Sequence, residues 1–189
     1  MSSREELIRV VRRTQTFISI LLFFIVFFIC WKFTKFDITQ VQISIWGRSG
    51  FLGRVWNTAV CTFAISIFIN SVLYLRNNLR VRYKNIFYLL FTFVSICLFM
   101  VGFYNMDWGA IHNYSAGLYF FFYPLTIFSF SHLNRKYLSY KDWLHYVILS
   151  VGMAIIPMIL ISMFKGMAIA EIAHTFLVIL YNIKLSMSD

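Results

Sequence analysis

FISILLFFIVFFICW, from Phe17 to Trp31, contains no charged side chain and decides the fold class. A helix needs about 20 residues at 1.5 Å each to cross a hydrocarbon layer of about 30 Å. The run itself is a little short, and its polar flanks supply the missing length. Five similar runs follow: Trp56 to Leu75, Ile86 to Tyr104, Ser115 to Ser131, Trp143 to Phe164 and Met167 to Ile183. The last is the weakest, because Glu171 and His174 interrupt it. The expectation is an all-α membrane protein, a bundle of six transmembrane helices in a single integral membrane domain over residues 1–189. Five spans is the alternative.

Composition agrees. Of 189 residues, 60% are hydrophobic, 20% aromatic and only 13% charged, about half the charged share of a soluble domain. So short a chain cannot hide that much apolar surface in one water-soluble core. The net charge of +10 would suit nucleic acid, but its basic residues sit in clusters at the ends of apolar runs, so no nucleic-acid partner is expected. Arg4, Arg9, Arg12 and Arg13 precede the first run as in a signal peptide, but no small-residue cleavage site follows it. An uncleaved first helix is expected, with Ser2 or Ser3 capping a short amphipathic lead-in.

Orientation follows from Lys and Arg placement. With six spans, one side collects twelve basic residues, namely the four arginines above, Arg76, Arg80, Arg82, Lys84, Arg135, Lys136, Lys141 and Lys184. The other collects five: Lys32, Lys35, Arg48, Arg54 and Lys165. The richer side is read as cytoplasmic, which places both termini inside the bacterial cytoplasmic (inner) membrane. Arg76, Arg80, Arg82 and Lys84 form a basic surface for anionic headgroups. Trp31, Trp46, Trp56 and Trp108 are expected at the outer interface, and Tyr83, Tyr137, Tyr140 and Trp143 at the inner one.

In the first outer loop, Gln40 to Ile45 alternates polar and apolar residues, the period of a half-buried strand. A short extended or β segment is expected there, with Val41, Ile43 and Ile45 less exposed than Gln40, Gln42 and Ser44. The glycines at 47, 50 and 53 mark a turn back into the membrane rather than a phosphate-binding loop. Cys30, Cys61 and Cys97 lie singly inside apolar runs, so neither a zinc site nor a disulfide framework is indicated.

Ionisable residues inside a membrane are costly and mark candidate sites. Asp107, His112, Asn113, Glu171 and His174 are expected to form a polar outer site. Glu171 and His174 are three residues apart and share a helical face. Glu-x-x-His is half of a di-iron motif, but the chain has one such unit, so no metal or other cofactor is expected. A mutually hydrogen-bonded polar cluster closing the bundle is the plainer expectation. Ser115, three residues after His112, makes a Ser-His pair formally available. Asp142 and His145 open the fifth span, where an acidic residue serves as ordinary helix capping.

The order of Ile43-Ser44-Ile45-Trp46-Gly47, Asn57, Gly102-Phe103, His112 and Ala170-Glu171 resembles an uncharacterised family. It is the family of unknown function numbered nine hundred and ninety-eight, related to Frag/DRAM/Sfk-like six-helix membrane proteins. The resemblance runs from Phe17 to Ile183 and implies six spans and a polar outer face; it supplies no activity. The leading functional expectation is a non-enzymatic accessory, sensor or assembly subunit, with a membrane-protein partner or a second copy. The alternatives are a small transporter or oligomeric pore for protons or cations, and a membrane-embedded lipid hydrolase.

Overall fold

The computed structural model describes residues 3–34, 37–48, 50–78 and 80–188. The expected Ser2 cap and Lys35 of the charge tally lie outside them. Six α-helices follow in order: α1 Ser3–Phe33, α2 Phe51–Asn77, α3 Lys84–Phe103, α4 Ala110–Leu133, α5 Tyr140–Met163 and α6 Ala168–Met187. All six are long and apolar enough to cross a membrane, α6 included. Its polar residues are tolerated because half of its most apolar window is buried inside the bundle, so they need not meet lipid. The chain is a six-helix membrane protein.

Sequential helices pack as neighbours joined by short connections except for the long α1–α2 loop, and α6 closes the ring onto α1 and α2. The helices reach beyond the apolar runs by up to 14 residues, as at the start of α1, because hydropathy reports the lipid-crossing part rather than the helix. The core is aromatic. Phe130 is wholly buried and meets Phe87, Phe91 and Tyr74 edge-on at centroid distances of 5.1, 6.1 and 5.9 Å, a geometry favoured by ring quadrupoles.

One end of the bundle is tied by polar contacts around Arg12. Its Nε donates to Asn70 Oδ1 at 3.3 Å and its Nη1 to the Ser188 carbonyl at 3.2 Å, while Nη2 donates to the Leu185 carbonyl. The guanidinium lies 5.0 Å from the Tyr74 ring centroid. Asn70 Nδ2 continues to the Asn182 carbonyl at 3.0 Å, and Asn182 Nδ2 donates to Tyr123 Oη at 2.9 Å. Helices α1, α2, α6 and α4 are thereby linked. Interhelical hydrogen bonds in membranes average about 0.6 kcal/mol each, so such a set matters more than any member. At this end Ser139 caps α5 by accepting the Asp142 N–H at 3.1 Å, and Asp142 pairs with Lys184 of α6 at 2.5 Å.

The opposite end is covered by the α1–α2 loop. The exposed Asp37 carboxylate accepts the Thr39 hydroxyl at 2.7 Å and the Thr39 N–H at 2.9 Å, and both bonds hold it below the usual carboxylate range. The Gly166 and Ala168 N–H groups then donate to the Thr39 and Val41 carbonyls, each at 2.9 Å. The loop lies across the bundle, but the expected extended or β segment is not formed: residues 38–40 make a turn closed by the Gln40 N–H on the Asp37 carbonyl at 3.1 Å, and no strand is present among the described residues. A 3₁₀ helix, Ile43–Gly47, replaces the expected continuation of the alternation. Ser44 is buried while Ile43 and Ile45 are only half-buried, so the period was misread: Ser44 turns inward because it has polar partners there.

The tryptophan expectation also needs correction. Trp46 and Trp56 are not headgroup anchors. They are 5% and 4% exposed and meet edge-on at 5.1 Å, with Trp31 beside Trp46 at 6.4 Å. They form an apolar plug at the end of α1 and α2, while Trp31 and Trp108 are exposed, at 41% and 59%.

Candidate functional site

The site is built where the loop meets α6. Glu171 is in the first turn of α6 and is 8% exposed. Its Oε2 accepts the Ile43 N–H at 2.5 Å, and the backbone N–H and hydroxyl of Ser44 also act on the carboxylate. Ile43 and Ser44 open the 3₁₀ helix, whose first N–H groups have no internal partners and point outward as anion donors. Glu171 therefore pins the loop to the bundle by binding the loop's free donors, across 128 residues of sequence. The ion pair with Lys184 belongs to Asp142 at the other end; among the described residues Glu171 has no cationic partner.

His112 stands in the first turn of α4 and is 4% exposed. Its Nδ1 faces the carbonyls of Tyr104 at 2.8 Å and Val101 at 3.1 Å. Carbonyls only accept, so Nδ1 carries the hydrogen, and in the neutral ring Nε2 is left as an acceptor. The Ser-His pair that the spacing formally allows is not formed: Nδ1 is committed to α3, and Ser115 is not among the ring's partners.

Two cavities meet at this point. The larger, of about 730 Å³, is a cleft between α4 and α5. Gln42, Ser44, His112, Asn113 and Glu171 line its polar end, and Phe120, Pro124, Leu125, Val151, Pro157 and Met158 are among its apolar walls. Phe121, Leu125 and Met158 at its lips are 65%, 46% and 70% exposed, so the cleft opens sideways onto the lipid-facing surface. From His112 to Phe128 it follows α4 for about 24 Å, at 1.5 Å per residue. A smaller cavity of about 180 Å³ lies among α1, α2, α3 and α6 and is lined by Phe23, Phe27, Trp56 and Phe63. Ser44, His112, Ala116, Phe120 and Glu171 face both cavities and form the wall between them.

The remaining expected site residues are placed differently. His174 is wholly buried, but its Nδ1 donates to the Met153 carbonyl of α5 at 3.2 Å, and its ring packs on Phe120 at 4.5 Å and Tyr119 at 5.5 Å. It lines neither cavity and bonds neither Glu171 nor His112, so the expected mutually hydrogen-bonded cluster is absent. Each of the three side chains is instead held by backbone groups of another segment. Asp107 is exposed and engaged within its own turn with Asn105. Asn113 is exposed at the mouth of the cleft. Arg76, Arg80 and Arg82 are exposed, and Lys84 half-buried, at the far end of the bundle. Among the described residues no group of three or more His, Cys, Asp or Glu side chains is arranged to hold a metal ion.

The sequence reading counted Arg12 only as a topology charge and missed the buried set it anchors. A signal was present: Arg12, Gln15, Thr16 and Ser19 repeat at helical spacing on one face of α1.

Residues 17–186, nearly the whole chain and every element of this site, match the model of a family described as a protein of unknown function (DUF998). The chain belongs to that family. No curated protein and no solved structure matches it. For this DUF998 member the assignment agrees with the six spans and is silent on activity, so function rests on the site.

Proposed function

We propose that this DUF998 protein is a non-enzymatic binding subunit of the cytoplasmic (inner) membrane, an accessory, sensor or assembly protein that receives an apolar or amphipathic ligand in the α4/α5 cleft. The observation that carries the reading is the cleft itself: a laterally open space within the usual ligand-pocket range of about 300–1,000 Å³, apolar along most of its length and polar at one end. The two ionisable groups there, Glu171 and His112, are each held by backbone partners rather than aligned on one another, which suits recognition better than acid-base or nucleophilic chemistry.

The basic clusters favour an orientation with the Arg12 end and both termini in the cytoplasm, where Arg76, Arg80, Arg82 and Lys84 would meet anionic headgroups. Glu171 and the loop then face outward. A cysteine replacing Asp107 is expected to react with an impermeant maleimide applied to intact cells, and one replacing Tyr137 is not. Labelling of the Tyr137→Cys variant from outside would reverse the orientation.

One observation favours a second reading. Glu171 stands in the wall between two cavities, where a translocated proton or cation would pass. Ion flux in proteoliposomes that Glu171→Gln abolishes and Asp142→Asn leaves intact would establish transport. A stable partner co-purifying with the wild-type protein, in the absence of flux, supports the accessory role.

A further inference from the structure

We infer that the α4/α5 cleft selects a long-chain amine: an amphiphile whose ammonium group sits directly at the end of its apolar chain, with no phosphate between them. The inference rests on the binding role proposed above and specifies its ligand.

The polar end of the cleft is an acceptor site. Glu171 is a buried carboxylate that has taken backbone and hydroxyl donors but, among the described residues, no cation. Buried carboxyl groups are normally paired, and this one faces open space, where an arriving cation would favour its ionised form. His112 spends its donor on α3 and presents Nε2 as an acceptor. Gln42 turns its amide nitrogen to Met106 Sδ at 3.0 Å, leaving its carbonyl oxygen for a ligand. An ammonium has three donors and no acceptor, which complements this set in both charge and hydrogen bonding. Among the described residues no Lys or Arg lines the cleft, so a phosphate would lie there uncompensated.

The rest of the cleft supplies the chain site. Its length of about 24 Å covers most of a hydrocarbon layer of about 30 Å, and its lips admit a chain directly from the bilayer. Gly117 lines the cleft, and a Cβ added there meets no atom within 4 Å. Gly117→Leu therefore starts its side chain in open space on the cleft wall, where it would occupy chain volume, and it replaces the weaker helix former by a stronger one. Gln at position 171 keeps an oxygen for the Ile43 and Ser44 N–H groups, so Glu171→Gln preserves the loop attachment while removing the charge.

The test is competition against a photoreactive octadecylamine, with the protein in nanodiscs of neutral lipid and the labelled peptides identified by mass spectrometry. Labelling is expected on α4 and α5. Octadecylamine should compete about tenfold better than octadecanol, the effect of one charged hydrogen-bonding group, and stearate should not compete. Glu171→Gln should bring amine and alcohol to equal potency, and Gly117→Leu should abolish labelling. Equal competition by octadecanol or stearate in the wild-type protein, with α4 and α5 still labelled, overturns the amine selectivity and leaves the cleft as a chain site. Labelling confined to other helices, or unchanged in Gly117→Leu, overturns the binding role as well.

Discussion

Arg12→Leu is expected to destabilise the bundle by about 3 kcal/mol, the order found when one member of a buried, charged hydrogen-bonded set is removed. The guanidinium caps two carbonyls at the end of α6, occupies Asn70 Oδ1 and covers the face of Tyr74. Leucine fills most of the space but leaves three acceptors without their donor at the meeting point of α1, α2 and α6. Arg12→Lys should recover part of the loss, because one ammonium cannot reach every acceptor that the planar fork spans. The neighbouring Arg13 is exposed, so Arg13→Leu should be close to neutral. Thermal unfolding in a mild detergent ranks the three; equal melting of Arg12→Leu and Arg13→Leu would remove Arg12 from the account of stability.

The second large effect is expected at Gly102. This glycine is the contact point of α3 with α2: an added Cβ would lie 2.9 Å from the Asn57 carbonyl oxygen and 3.0 Å from the Cys61 backbone nitrogen. Both obstacles are backbone, so the helices must separate. Small residues permit such close approach in membrane bundles. Gly102→Leu should cost about 1–3 kcal/mol, the usual range for overpacking, or block assembly of the bundle. Gly117→Leu provides the contrast, since an added Cβ there meets no atom within 4 Å, and it should leave the melting temperature unchanged or raised. A Gly102→Leu protein that melts with the wild type would mean that the α2/α3 contact is looser than the structure has it.

The parts of the fold legible in the sequence were those fixed by local chemistry. Apolar runs near the bilayer thickness located six helices, and Asp142 marked the first turn of α5. Long-range pairings were not legible. Glu171 could be recognised as costly in a membrane, which made it a site candidate, but nothing in its neighbourhood reveals that its partners are the N–H groups of Ile43 and Ser44. The spacing of Glu171 and His174 suggested a shared task. In the structure three residues of helix separate a group facing the loop from one facing α5. The alternation from Gln40 to Ile45 misled because polar Ser44 has polar partners inside, a tertiary fact that no period can carry. The cleft itself was invisible: it depends on small residues and prolines on two helices falling opposite one another, including Ala116, Gly117 and Pro124 on α4 and Ala154 and Pro157 on α5.

The central claim, that the space between α4 and α5 is a binding site rather than loose packing, is tested most directly by native mass spectrometry of the protein released from its own membranes in gentle detergent. The account expects the wild-type protein to carry a chain-bearing adduct, and Gly117→Leu, folded to the same melting temperature, to have lost it. The same adduct at the same occupancy in both proteins would contradict it.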